Sequence, residues 1–276
     1  PYVFNAKLFL GGDNATYYSL AQGIASGFEY VSSNSPIPLP TNHYPPGYPF
    51  ILAVAIKLGV TSLKGLKIVS GLFLLGSVII TFLLSFRFTE NRIFSGLVAL
   101  AVLLNMHLLE YASITMSEVP FVFFLLLTLL AFVKFADTGY RLKSWSFLLT
   151  VFGVIAVVYI RTQGIAVLGA FAFYLLINKQ YKVAGILTLC FILGYLPWQI
   201  RSSSLGGSSY VKQLFKVNPY EADGEDMKLA DWGTRIKNNT VRYISKEIPS
   251  LPQDWDSFVK TCDPGLQILL QSVSLQ

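Results

Sequence analysis

Ser117-Glu118-Val119-Pro120-Phe121-Val122-Phe123-Phe124-Leu125-Leu126-Leu127-Thr128-Leu129-Leu130-Ala131-Phe132 sets a carboxylate at the mouth of an apolar run that continues to Ala136. At about 1.5 Å per residue such a run, wound as a helix, crosses most of a hydrocarbon core about 30 Å thick. Strands of a membrane β-barrel alternate polar and apolar residues. This run does not alternate, so it predicts a transmembrane helix.

Comparable runs lie outward of it on both sides, at 65–86, 93–111, 144–160, 162–177 and 183–200. The chain has 276 residues, is 53% hydrophobic and only 13% charged, and its mean hydropathy is +0.55. That balance excludes an ordinary soluble domain and predicts an all-α polytopic membrane protein. Residues 65–200 are expected to form a transmembrane bundle of about six spans. Residues 1–64 are expected to form a first outer, periplasmic loop carrying juxtamembrane helices. One such helix is read at Asn14–Ser26, ended by Gly27. A second apolar piece, Phe50–Leu58, is about 14 Å long as a helix, too short to span. Residues 201–276 turn polar behind a Gly206-Gly207 joint, and Trp232–Ile244 reads as an amphipathic helix suited to a membrane surface. The chain begins at Pro1 without Met, so a further span is expected before it. Continuation is expected past Gln276, because the apolar piece Leu266–Leu275 is too short to span.

Loop charge supplies orientation. Arg87–Arg92, Lys134–Lys143 and Asn178–Lys182 are alternate loops rich in Lys and Arg, which marks them as cytoplasmic. The net charge of +6 therefore reports membrane topology rather than nucleic-acid binding. Asp13, Glu118, Arg161 and Arg201 then share the outer side. Ionisable groups at a membrane edge are costly and point to function. Cys190 and Cys262 have no metal-ligand spacing and no evident partnership. No P-loop, GxSxG, HExxH or CxxC occurs, which argues against nucleotide-driven pumps and the common hydrolases.

Each charged group has two readings. Asp13 suits a general base or a cation ligand, and equally an N-cap for the helix beginning near Ala15. Glu118 suits the same chemistry, and equally the first turn of a helix capped by Ser117, where Pro120 is also tolerated. Arg161 can grip a phosphate with two parallel bonds or simply reach the interface. It is read as a tight turn between two helices. Arg201, beside Trp198, suits substrate or an interfacial anchor. His43 suits metal ligation or proton transfer, and Tyr17 and Tyr44 suit a sugar-lined wall or an aromatic belt.

Four segments together resemble the GT-C glycosyltransferases, in the protein mannosyltransferase and aminoarabinose transferase branch. Asp13 followed by Tyr17-Tyr18-Ser19-Leu20-Ala21 and Gly27-Phe28-Glu29-Tyr30 resembles that branch's acid-led helix and glycine-aromatic turn. His43-Tyr44-Pro45-Pro46-Gly47-Tyr48-Pro49 looks like its double-proline segment. Ser117-Glu118-Val119-Pro120 resembles its second acidic motif, and Arg161-Thr162-Gln163-Gly164 its arginine turn. The resemblance covers about residues 10–205. Two positions depart from the pattern: no lysine precedes the double proline, where Asn42 and His43 stand, and Gln163 replaces the frequent acid.

The resemblance implies a GT-C-like bundle in the cytoplasmic membrane with its active site facing the periplasm or outside. It implies a polyprenyl-phosphate sugar donor, a lipid, glycan or protein acceptor, surrounding membrane lipids as partners, and inversion at the sugar. By the same resemblance Asp13 and Glu118 are catalytic and Arg161 offsets charge on the lipid phosphate; His43, Tyr44, Tyr17 and Arg201 are the further candidates to bind substrate. Some GT-C members bind a divalent cation with such acids and others show no clear requirement; Asp13, Glu118 and His43 are the candidate ligands of such an ion, Mg or Mn. A transporter or flippase, or a non-catalytic scaffold subunit, would use the same charges as a pathway or leave them idle.

Overall fold

The structure is a computed structural model that describes residues 6–8, 13–27, 29–32, 39–207, 215–218 and 225–247. Cys262 and Leu266–Leu275 fall outside the described residues. The chain divides into two compact units, residues 4–206 and a second unit of residues 207–276 with 1–3.

The larger unit is a helical membrane bundle. Helix α1 (Asn14–Gly27) leads into a two-residue antiparallel pair, β1 (Val31–Ser32) and β2 (Leu39–Pro40), with Val31 opposite Pro40. Helix α2 (Gly47–Lys57) has 11 residues. At about 16 Å it covers roughly half a hydrocarbon core. It begins three residues earlier than Phe50 because Pro49 is tolerated in a first turn. Helix α3 (Leu63–Thr89) follows, then α4 (Arg92–Leu103) and α5 (Met106–Ala112), α6 (Glu118–Asp137), α7 (Trp145–Ile160), α8 (Ile165–Ile177) and α9 (Tyr181–Ser204).

Three helices, α3, α6 and α9, are long and apolar enough to span. The expected span 93–111 is instead a pair, α4 and α5, bent by 56°. Asn105 explains the break: its side chain accepts from the Leu108 N–H at 3.0 Å and caps a new helix. Helices α7 and α8 are short, 16 and 13 residues. Between them Arg161 is extended (φ −147°, ψ 135°) and Thr162–Gly164 forms a 3₁₀ turn, the tight turn anticipated at Arg161.

Contacts orient the helices. Glu118 meets Arg161 and Phe135 meets Phe147, so α6 and α7 are antiparallel. Leu74 clusters with Val119 while Arg87 pairs with Asp137 at 2.9 Å, so α3 and α6 run parallel. Tyr159 donates to the Gly194 carbonyl at 3.1 Å and stacks edge-on against Tyr195, fixing α9 to α7. The largest core cluster joins α6, α7, α8 and α9, with Phe132 stacked on Phe171 at 3.9 Å.

The ends of the bundle therefore differ. One collects the basic loops, where Glu90, Tyr140 and Lys179 all take left-handed backbone, each in one of the three loops read as cytoplasmic. The other collects the starts of α1, α2 and α6 and the end of α7. Gly47 is obligatory there: a Cβ would stand 2.5 Å from the Tyr159 carbonyl oxygen, so only glycine lets α2 begin against the last turn of α7.

In the second unit, helix α10 (Leu229–Arg242) realises the expected amphipathic segment with shifted ends. Leu229, Ile236 and Tyr243 are exposed, and Arg235 donates to the Lys216 carbonyl at 3.1 Å.

Candidate active site

The site is assembled from helix ends. Ser117 stands just before α6, and Glu118 is its first residue. Arg161 lies where α7 stops. The antiparallel hairpin places these ends together, and the Arg161 Nη1 to Glu118 Oε1 distance is 2.6 Å. The two side chains are 27% and 23% exposed, so water partly reaches the pair. The same Nη1 donates to Ser117 Oγ at 3.0 Å, and Arg161 Nε donates to Gln163 Oε1 at 3.3 Å. Gln163 thus takes up the carbonyl-acceptor part of the acid it replaces.

Ser117 does not cap α6. Its backbone is helical (φ −79°, ψ −9°) and its side chain makes no cap hydrogen bond. A cap is worth about 1 kcal/mol, and Ser62 and Ser144 supply one to their helices. The Ser117 hydroxyl, fully buried, lies 3.2 Å from the Tyr17 hydroxyl instead. Tyr17 is one helical turn past Asp13 on α1. It is 5% exposed and packed between the rings of Tyr44 (4.9 Å) and Tyr48 (5.0 Å). Tyr17 thus brackets helix α1 against the rings that lead into α2 and against the start of α6.

Asp13 precedes α1, and its carbonyl accepts from the Tyr17 N–H at 2.9 Å. His43 is half-buried beside it. Burial holds the imidazole below its ordinary titration range, and the Asp13 charge pulls it partly back. The His43 ring meets Tyr44 edge-on at 4.5 Å. These contacts join Asp13, His43, Tyr44, Tyr17, Ser117, Glu118 and Arg161 in one continuous cluster.

Arg201 belongs elsewhere. Nη1 donates to the Thr41 carbonyl at 2.6 Å and Nη2 to the Tyr30 carbonyl at 2.9 Å. The guanidinium also lies over the Tyr30 and Trp198 rings, at 5.1 and 5.4 Å. It clamps the chain leading to His43 onto the end of α9, and Asn42 reinforces the clamp by donating to the Ser202 carbonyl at 3.3 Å. Tyr30, kept protonated by burial, donates to the Tyr44 carbonyl at 2.8 Å.

Among the described residues no three His, Cys, Asp or Glu side chains come together as a metal-holding group, and one Glu118 oxygen is engaged by Arg161.

Lys67 escaped the sequence reading. It is 2% exposed inside α3, and its Nζ donates to the Lys7 carbonyl at 3.0 Å. The signal was available: Lys67, Ser70 and Ser77 recur at helical spacing on one face of a spanning segment, and all three are buried. Ser117 was noticed only as a cap, and Tyr48, fully buried with its hydroxyl within electrostatic reach of Glu118, was not singled out as a neighbour of that acid.

The helical membrane bundle and the family matched by its sequence together make this an integral membrane glycosyltransferase of the GT-C type that uses a lipid-linked sugar donor. Residues 39–202, more than half of the chain, match the dolichyl-phosphate-mannose-protein mannosyltransferase family, and the chain belongs to that family. No curated protein and no solved structure matches it.

Proposed function

We propose that this protein transfers a sugar from a polyprenyl phosphate to a hydroxyl acceptor at the outer face of the cytoplasmic membrane, with inversion. The observation that carries the reading is the Arg161–Glu118 pair at 2.6 Å, tied through Ser117 to the helix that Asp13 begins. Asp13 takes the proton from the acceptor hydroxyl. The acceptor oxygen forms its bond to the anomeric carbon as the bond from that carbon to the phosphate oxygen breaks. The electron pair leaves with the lipid phosphate, whose growing charge Arg161 offsets.

Glu118 is better suited to aim Arg161 than to act as a second base, since one of its oxygens is already committed to the guanidinium at 2.6 Å. His43 and Tyr44 stand on the acceptor side, next to Asp13. No step runs through a metal. The acceptor, whether lipid, glycan or protein, is chosen by surfaces beyond these residues.

The test is transfer of radiolabel from polyprenyl-phosphate-[¹⁴C]mannose to endogenous acceptor, using the membrane-inserted chain with and without EDTA. Transfer that survives EDTA is the expected result. Absence of transfer from this donor and from other polyprenyl-phosphate sugars would sink the proposal.

A further inference from the structure

We infer that Ser117 is a positioning residue for the lipid phosphate: its hydroxyl is the junction that holds Arg161 in register with the acid-led helix α1. The inference rests on the proposed function, because it assigns Arg161 to that phosphate. Three observations carry it. Ser117 occupies the N-cap position of α6 yet makes no cap hydrogen bond. Its hydroxyl is fully buried, within hydrogen-bond distance of both Tyr17 Oη (3.2 Å) and Arg161 Nη1 (3.0 Å). These partners come from α1 and from the end of α7, which the sequence separates by well over a hundred residues.

The hydrogen bonding is directional. The Arg161 N–H can only donate, so Ser117 Oγ accepts from it. The Ser117 proton remains to be given to Tyr17, or Tyr17 donates its own to the second lone pair of Oγ. In both cases one oxygen fixes two partners.

Gln163 holds the guanidinium at Nε and Glu118 holds it at Nη1. Ser117 adds a second partner at Nη1 on another vector and ties that atom to α1 through Tyr17. A guanidinium grips phosphate through fixed, planar geometry, and a misaim of about 1 Å costs on the order of 100-fold in a preorganised site.

Binding of undecaprenyl phosphate in detergent to the full chain reads this directly, and it does not depend on which sugar is moved. Ser117→Ala is expected to weaken binding about 10-fold, and Arg161→Ala at least as much. The double variant should be no weaker than Arg161→Ala, because Ser117 acts only through Arg161. Ser117→Thr keeps the hydroxyl and should restore binding to within about 3-fold. Ser144→Ala, which removes a working cap from α7, controls for helix stability: it should lower the thermal midpoint without changing binding.

Additive losses in the double variant, or unchanged binding in Ser117→Ala, would overturn the inference and leave the proposed function standing. No binding of undecaprenyl phosphate by the wild-type chain would overturn both.

Discussion

Asparagine caps a helix about as well as aspartate, and this is what separates the two readings of Asp13 by experiment. Asp13→Asn is nearly isosteric and keeps the carbonyl that accepts from Tyr17. Loss of the charge removes the base, so transfer should fall about 10²- to 10⁴-fold, with the thermal midpoint unchanged. Equal turnover at matched membrane levels would return Asp13 to a merely structural role. Arg161→Lys should fall between, because it keeps the charge facing Glu118 and loses the fork.

His43 gives a pH signature. Its imidazole titrates lower in the folded chain than the ordinary value of about 6.5 that an unfolded chain shows. Above about pH 6.5 neither state carries the proton. As pH falls through that value the unfolded chain binds a proton that the folded one resists. Stability is therefore lost toward acid and regained toward neutrality. A thermal-midpoint profile from pH 7.5 to 5 should slope downward toward acid, less so in His43→Gln. Identical slopes in the two proteins would discard His43 as the source.

At the scale of the element, Tyr30, Thr41 and Asn42 are held by the end of α9. Arg201 supplies two bonds to carbonyls and lies over two rings. Hydrogen bonds to charged groups contribute about 1.5–3 kcal/mol each, with the lower end apt here because water reaches the clamp. Arg201→Gln should therefore destabilise the protein by about 2–3 kcal/mol and expose the Val31–Tyr44 segment to limited proteolysis. Arg201→Lys should recover part of the ring contact but not the forked grip. A protease pattern identical to wild type in Arg201→Gln would show that the clamp does not hold the loop. The break at Asn105 belongs to the same scale. Hydropathy reads 93–111 as one span, because apolar composition is blind to an amide that caps a helix partway along.

For the whole molecule, the two ends of the bundle differ in charge, and that difference is the basis of the proposed orientation. Taking the basic loops as cytoplasmic, the proposal puts Asp13 and Glu118 outside. Single cysteines at positions 13 and 118, in chains freed of Cys190 and Cys262, should both react with a membrane-impermeant reagent applied from outside. Reaction at only one of them would rule out a shared outer site. Both being shielded would reverse the assigned orientation.

Composition and run length alone determined the helical membrane class, because a bilayer admits an uninterrupted apolar segment only as a helix with its own backbone bonds satisfied. The brevity of α2 and the turn at Arg161 were legible for the same reason: length and a charge within an apolar run are local facts. The candidates Asp13, Glu118 and Arg161 were legible because charge is scarce. Their partners were not. A serine before an acid at a helix start reads as a cap, an arginine beside a tryptophan reads as an anchor, and a tyrosine reads the same whether it lines a wall or braces a helix. Tertiary structure decided that Ser117 faces Tyr17 and Arg161 and that Arg201 grips the Tyr30 and Thr41 carbonyls. A side chain's hydrogen-bond partner depends on which helix ends meet in space, and that is set by packing among segments far apart in the chain.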